Sequence, residues 1–308
     1  MAFDLSSVLV IGISSRALFD LETSNRVFEE EGLEAYRAYQ LEHEKVPLEK
    51  GTAFPLVEAL LGLNVRAGKP VVEVIVMSRN SPDTGLRVFN SVAHYGLPIT
   101  RAAFSGGTSL SPYLGSFKVD LFLSKSEEDV QQAVDGGVAA AVLYAPPQTA
   151  GRHDDQIRIA FDADAVLFSE ASELIYKRDG IEAFWAHEKA HADEPLEAGP
   201  FAKLLITLSY LQRHFAPAPS PVRIAIVTAR NSPAHERVIQ TLRRWGVHVD
   251  EAFFLGGLGK EEVLEAYGAH IFFDDQDVHL DGASRVVPSG KVPYKSDSPI
   301  RALMPEEK

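Results

Sequence analysis

A chain of 308 residues with 45% hydrophobic composition can bury one large core or two of ordinary size, and two domains is the natural division. It has no cysteine, which excludes disulfides, thiolate metal sites and cysteine nucleophiles and fits a reducing cytoplasm. A formal net charge of -13 argues against nucleic acid as a partner, yet leaves room for a small anion held by a metal and a few local cations.

The start, MAFDLSSVLVIGI, carries an acid where a signal peptide needs positive charge, and its apolar run is too short to span a bilayer. A first strand at Val8 to Ile13 and no membrane partner are expected. Further strands read at Val71 to Met77, Thr100 to Phe104, Val119 to Leu123 and Ala139 to Tyr144, with helical patterns between them. Strands alternating with helices predict an α/β fold whose parallel sheet is covered on both faces. Pro146 and Pro147, followed by QTAGRHDDQ, mark a boundary and divide the chain into domains 1–150 and 151–308.

The second half repeats the first. IGISSRALFDLE lies over IAFDADAVLFSE, and GLEAYRAYQLEHEKVPLEKG over GIEAFWAHEKAHADEPLEAG, both at a separation of 148. VIVMSRNSP over AIVTARNSP, AFSGG over FFLGG and VDLFLSK over AHIFFDD continue the match with a drift of two or three residues. The expectation is two tandem Rossmann-like units. They differ where chemistry would sit: opposite Asp162, Asp164, Thr228, Lys260 and Asp274 stand Ser14, Arg16, Met77, Leu110 and Ser124. A purely structural role would be needed in both copies, so the second unit is expected to be catalytic and the first degenerate.

In an open parallel sheet, ligands bind beyond the carboxyl ends of the strands. Asp162 and Asp164 follow IRIAF, Thr228 follows RIAIV, Lys260 stands beyond FFLGG, and Asp274 with Asp275 follows HIFF. Together they suit phosphoryl transfer. An aspartate can approach a phosphate dianion only if positive charge neutralises the repulsion. Magnesium, which prefers oxygen ligands, would be held by Asp162, the main-chain carbonyl of Asp164 and Asp274, with Asp275 either ligating through water or accepting a hydrogen bond behind the ligands. Lys260 would screen Asp162 and bind phosphate, and Thr228 with the N–H groups of Ala229 and the following ARNSP residues would complete the cradle. Asp162 would attack phosphorus; Asp164 would protonate the leaving oxygen and then activate water.

Asp-x-Asp-x-Val, a strand ending in Thr, an isolated Lys and Phe-Phe-Asp-Asp, in that order, resemble the haloacid dehalogenase-like superfamily of phosphohydrolases. More narrowly, ISSRALFD, YQLEHE, FDADAVLFSE, HEKAH, GPFAKLL, VTARNSP and HIFFDDQ resemble the cytosolic 5'-nucleotidase type I family, over most of the chain. Ala163 departs from a frequent glycine and Glu170 from a frequent aspartate. The resemblance implies a cytoplasmic, Mg2+-dependent hydrolase of nucleoside 5'-monophosphates, AMP foremost, acting through an aspartyl-phosphate. It also implies a small helical cap between the first two motifs, and it makes an ADP effector and a homo-oligomer compatible with the chain.

Within that cap, from Ala171 to Phe215, Phe184, Trp185, His187 and His191 are spaced like a helix face. Core packing is the default, and a nucleobase stacking on Phe184 or Trp185 is the sharper alternative. Zinc at His187 and His191 is not expected, because the carboxylate site at the strand ends already provides for a metal. Arg230 recurs as Arg79, which favours a structural role over contact with phosphate or ribose. Ser14, Ser15 and Arg16 permit two readings: a scaffold or substrate wall, or a retired site that binds an anion. Rival activities are hydrolysis of another ester, such as a sugar phosphate, and nucleotide sensing with weak catalysis. The stretch after Pro288 reads as an ordered extension or a loose tail.

Overall fold

The computed structural model describes residues 4–147, 156–215 and 219–303. The boundary expected at QTAGRHDDQ lies outside these residues except for Gln156. The chain forms two compact units, Met1–Ala133 and Val134–Lys308. The fold is mixed α/β with mostly parallel strands.

In the first unit the strands are β1 (Leu9–Ile13), β2 (Phe19–Asp20), β3 (Glu49–Lys50), β4 (Val72–Ser78), β5 (Arg101–Phe104) and β6 (Leu121–Ser124). β2 and β3 pair as a short antiparallel ribbon; the others run parallel in the order β6-β1-β4-β5. Every residue of β1, LVIGI, is buried, as a strand covered on both faces requires. Helix Phe54–Ala67 packs against β4.

The second unit holds β7 (Ala139–Leu143), β8 (Ile157–Phe161), β9 (Val222–Thr228), β10 (Glu251–Phe254), β11 (Ile271–Asp274) and β12 (Ser289–Lys291), in the order β10-β9-β8-β11-β12-β7. All pairings are parallel except β12 with β7. β7, read from sequence as the last strand of the first domain, therefore pairs within the second unit, through β12. β12 comes from the stretch after Pro288, where a loose tail was one reading. Over its described residues, 289–303, that stretch is packed in place: Val292 N–H donates to Asp274 O (2.8 Å), and Tyr294 and Ile300 are buried.

The strand ends are one residue out of step with the sequence match. β1 pairs Ile13 with Val76, and β8 pairs Phe161 with Ile226, so Ser78, not Met77, is the counterpart of Thr228. The hydrogen bonds agree. Asn80 N–H donates to Ser78 Oγ and Arg230 N–H to Thr228 Oγ1, each at 3.2 Å, so Arg230 answers to Asn80 rather than Arg79. Aligning on the shared RNSP misplaces this register, because the sheet is fixed by its ladder and not by the loop that follows.

The helices that follow Asp162, Ala171–Asp179 and Ile181–Ala190, have counterparts after β1 in Glu22–Glu31 and Leu33–Glu42. The helical stretch expected as a cap of the catalytic copy is thus present in both units. Gly180 and Gly32 join each pair at φ 85 and 87, a backbone region costly for other residues. Among the described residues no helix is long and apolar enough to cross a membrane.

Candidate active site

Asp162 stands directly after β8, its N–H donating to Phe273 O on β11 (2.8 Å). The chain then makes a tight five-residue turn, Ala163–Leu167, in which Ala165 adopts φ 57. A left-handed alanine costs about 1 kcal/mol or more, and such strain persists where surrounding structure enforces it. Gly199 enforces it here: its N–H donates to Leu167 O (2.9 Å), and a Cβ at this position would stand 2.3 Å from Phe168 O.

Lys260, buried at the N-terminus of helix Glu261–Tyr267, donates to Asp162 Oδ1 (2.6 Å) and Asp274 Oδ2 (2.7 Å). Asp274 ends β11 and also accepts from Gln276 N–H (2.9 Å), with His279 Nδ1 3.1 Å from its Oδ2. Asp275 is buried; Tyr294 donates to its Oδ2, while its Oδ1 has no partner. Carboxylate oxygens of Asp162, Asp274 and Asp275 lie within 4.8 Å of one another. Three carboxyl groups against one ammonium leave a deficit of positive charge in a dry place. An orphaned buried carboxylate oxygen within an all-oxygen donor set fits a hard divalent cation.

The electrostatics reflect that deficit. Burial pushes Asp162 up to about 7, and the Asp274 and Asp164 carboxylates add to the rise against the opposing Lys260 ammonium. Burial also raises Asp275 well above the usual carboxylate range, reinforced by Glu173, Asp274 and Asp162. Burial would raise Asp274 too, but Lys260 and His279 outweigh it and hold this carboxyl below its ordinary value. Lys260 moves up despite burial, because Asp162 and Asp274 favour its charged form.

Asp164 stands apart from the acid trio. Arg230 grips it with a bidentate pair of bonds, Nε to Oδ2 (2.7 Å) and Nη2 to Oδ1 (2.6 Å). Any ligation of a metal by Asp164 would therefore use its main-chain carbonyl. Thr228 ends β9, buried, its Oγ1 receiving Arg230 N–H and its own proton left to donate. Ala229 is exposed. Phe184 is buried with the Arg230 guanidinium 5.3 Å from its ring centre, so it serves as packing and not as an open platform, whereas Trp185 is exposed. His187 and His191 stack on each other at 4.2 Å, and Arg237 lies 3.4 Å from His187 Nε2; no acid joins them in a metal group among the described residues. Ser14, Ser15 and Arg16 line a cavity of the first unit.

The sequence model of the 5'-nucleotidase family matches residues 1–299. The chain belongs to the 5'-nucleotidase family. Cytosolic 5'-nucleotidase 1B of Homo sapiens is 38% identical over 291 residues, which cover 91% of this chain and 48% of that protein. The chain thus spans about half the length of this curated relative. Among solved structures, the Pnkp1/Rnl/Hen1 complex matches with a TM-score of 0.34 and 11% identity, covering 94% of this chain and 98% of that one. Histidinol dehydrogenase from Elizabethkingia anophelis gives 0.24 and 10%, covering 98% and 83%. Likeness at these levels carries no weight for fold or activity.

The candidate site has a support that its strand-end motifs do not announce. Glu188, fully buried on helix Ile181–Ala190, accepts from Arg230 Nη1 (2.5 Å), Arg237 Nη1 (2.9 Å) and Ser172 Oγ (2.8 Å). Burial would raise its pKa, and Arg230, Ser172 and Arg237 together bring it below the ordinary value. Tyr294, from the C-terminal stretch, bridges Asp275 and Glu173. Copy comparison could have found Glu188, since Gln40 stands opposite it 148 positions earlier and bonds Arg87, the counterpart of Arg237, at 3.0 Å. Nothing in the sequence signalled Tyr294.

Removing one partner from a buried ion cluster leaves uncompensated charge and costs about 3–5 kcal/mol. Glu188→Gln is expected to lose that much in urea denaturation. Glu188→Gln combined with Arg230→Asn removes both charges of the buried pair together, so the double substitution should cost clearly less than the sum of the singles. Strict additivity would show that the two groups do not depend on each other.

Proposed function

We propose that this chain is a cytoplasmic, Mg2+-dependent hydrolase of nucleoside 5'-monophosphates, AMP foremost, acting through an aspartyl-phosphate on Asp162. It is built from two tandem haloacid dehalogenase-like units, the second catalytic. The observation that carries this reading is the buried trio Asp162, Asp274 and Asp275 around Lys260, with one Asp275 oxygen unpartnered. Family membership and the name of the human relative support the substrate class.

A divalent cation held by Asp162, Asp274 and Asp275, joined by the Asp164 main-chain carbonyl, would neutralise phosphate oxygens at the reacting centre. Lys260 opposes the rise that burial imposes on Asp162 and offers its ammonium to the incoming phosphate. Asp162 Oδ attacks phosphorus while the bond to the ribose O5' breaks, and Asp164 gives that oxygen its proton. Asp164 then takes a proton from water, whose oxygen attacks the aspartyl-phosphate, releasing phosphate and restoring Asp162. Thr228 donates its hydroxyl proton to a phosphate oxygen.

Phosphate release measured across AMP, GMP, IMP, CMP, UMP, their deoxy forms and glucose 6-phosphate tests the reading. Nucleotides should lead by roughly tenfold or more. Equal turnover of the sugar phosphate would overturn the substrate class.

Magnesium should also stabilise the fold. At about 100 times its Kd it is expected to add about 2.7 kcal/mol, read as a rise in Tm, and Asp275→Asn should remove most of this. The pH dependence has a definite sign. With folded pKa values raised at Asp162 and Asp275, the metal-free native state binds more protons than the unfolded chain between the ordinary carboxylate range and about pH 7. Its stability therefore falls as pH rises through that window. Protons compete with the cation for the same oxygens, so the magnesium increment should be larger at pH 8 than at pH 6.

A further inference from the structure

The first unit presents the same strand ends with the charge reversed. The shared register puts Ser14 where Asp162 stands and Ser78 where Thr228 stands. β6 and β11 end alike, so Ser124 and Lys125 occupy the places of Asp274 and Asp275. The acid trio becomes Ser14, Ser124 and Lys125, and Asp164 becomes Arg16. Leu110 replaces Lys260, each standing at the start of a helix.

Beyond these ends lies a cavity of about 550 Å³, within the size range of small-molecule sites. Four of its charged lining residues, Arg16, Arg37, Arg79 and Lys125, are cations, against Asp129 alone as an acid. Such a lining is unexpected in a protein of net charge -13. Arg79 is engaged by Asp129 and Glu128, but among the described residues Arg16 and Lys125 share the single acid Glu22, at 3.1 and 3.0 Å. Glu22 is half exposed, and Arg16 Nε is buried without a partner. Ser14 Oγ accepts from Ala17 N–H (3.2 Å) and Ser124 Oγ from Ser126 N–H (3.1 Å), which leaves each hydroxyl proton to donate. The opposite wall is apolar: Phe28 and Tyr36 meet edge to face at 5.9 Å, and Phe28 is half exposed.

A guanidinium fork, an ammonium and hydroxyl donors match a phosphate dianion, and an apolar wall matches an organic body. We propose that this cavity binds a small organic phosphate without a metal, its phosphate held by Arg16, Lys125 and Ser14 and its organic part lying against Phe28 and Tyr36. This does not rest on the hydrolase reading, because none of these residues belongs to the second unit.

Calorimetric titration of the full chain in EDTA, with AMP and with orthophosphate in separate runs, tests it. One AMP is expected to bind without metal, more tightly than orthophosphate. Lys125→Glu and Arg16→Glu should each weaken AMP by at least about tenfold, since each removes a charge-assisted bond. Phe28→Ala, on the half-exposed wall where folding is not at risk, should weaken AMP and leave orthophosphate unchanged. Thr228→Val should leave AMP binding in EDTA intact, while magnesium-dependent phosphate release by Lys125→Glu stays at the wild-type level. Absence of AMP binding in EDTA would overturn the proposal. So would binding that Thr228→Val abolishes while Lys125→Glu and Phe28→Ala leave it unaltered. Orthophosphate binding as tightly as AMP would remove the organic part of the ligand from the claim.

Discussion

Asp162→Asn is expected to reduce AMP turnover on the order of 10⁶-fold, the scale set by loss of a covalent nucleophile that works as a unit with its neighbours. The substitution is nearly isosteric and leaves Lys260 bonded to Asp274, so the pocket keeps its scaffold. Stability supplies a control with a definite sign. Burial holds the Asp162 carboxyl up to about 7, so its ionised form is unfavourable to the metal-free fold above that pH. An uncharged amide removes the penalty, and at pH 8 the metal-free variant should be at least as stable as the parent. Acid-quenched reactions with radiolabelled AMP should show phosphate on the parent protein and none on the variant. A loss of activity smaller than about 10²-fold would mean that water attacks phosphorus directly, with Asp162 reduced to a general-base or metal-binding role.

The strands and most reactive side chains were legible because buried parallel strands leave apolar runs and their ends leave polar punctuation. Asp162, Thr228 and Asp274 each stand one step beyond such a run, Lys260 opens the helix after β10, and the structure brings Lys260 within bonding distance of two of them. Contacts set only by three-dimensional packing were not legible. Arg230 looked structural because the RNSP segment recurs, yet the register places Asn80 opposite it, and Arg230 is what grips Asp164. Phe184 lies buried against this same arginine, a partner that the helical spacing of the aromatics did not signal. Tyr294 sits in a Pro-containing stretch with no periodicity, and only the pairing of β12 with β11 brings it to Asp275. The pairing of β7 with β12 was hidden for a related reason: β7 is an ordinary apolar run, and β12 lies almost 150 residues later.

Asp164→Asn should slow AMP turnover by roughly 10²- to 10⁴-fold, the usual contribution of a positioned general acid or base. The structure adds a condition on how that residue works. Arg230, itself buried and bonded to Glu188, donates to both Asp164 oxygens at 2.6 and 2.7 Å. An Asp164 carboxylate accepting both bonds is the form that the second step uses, in which Asp164 takes a proton from water. The first step needs the acid form, so the guanidinium must release one oxygen as the leaving group forms. The defect should therefore depend on the ester. With p-nitrophenyl phosphate, whose leaving oxygen needs no proton, Asp164→Asn should lose its effect on aspartyl-phosphate formation and keep it on hydrolysis. Acid-quenched reactions would then show phosphoprotein accumulating with that ester and not with AMP. Equal slowing of both steps with both esters would mean that Asp164 serves only to orient neighbouring groups, and the proton transfers would have to be assigned elsewhere.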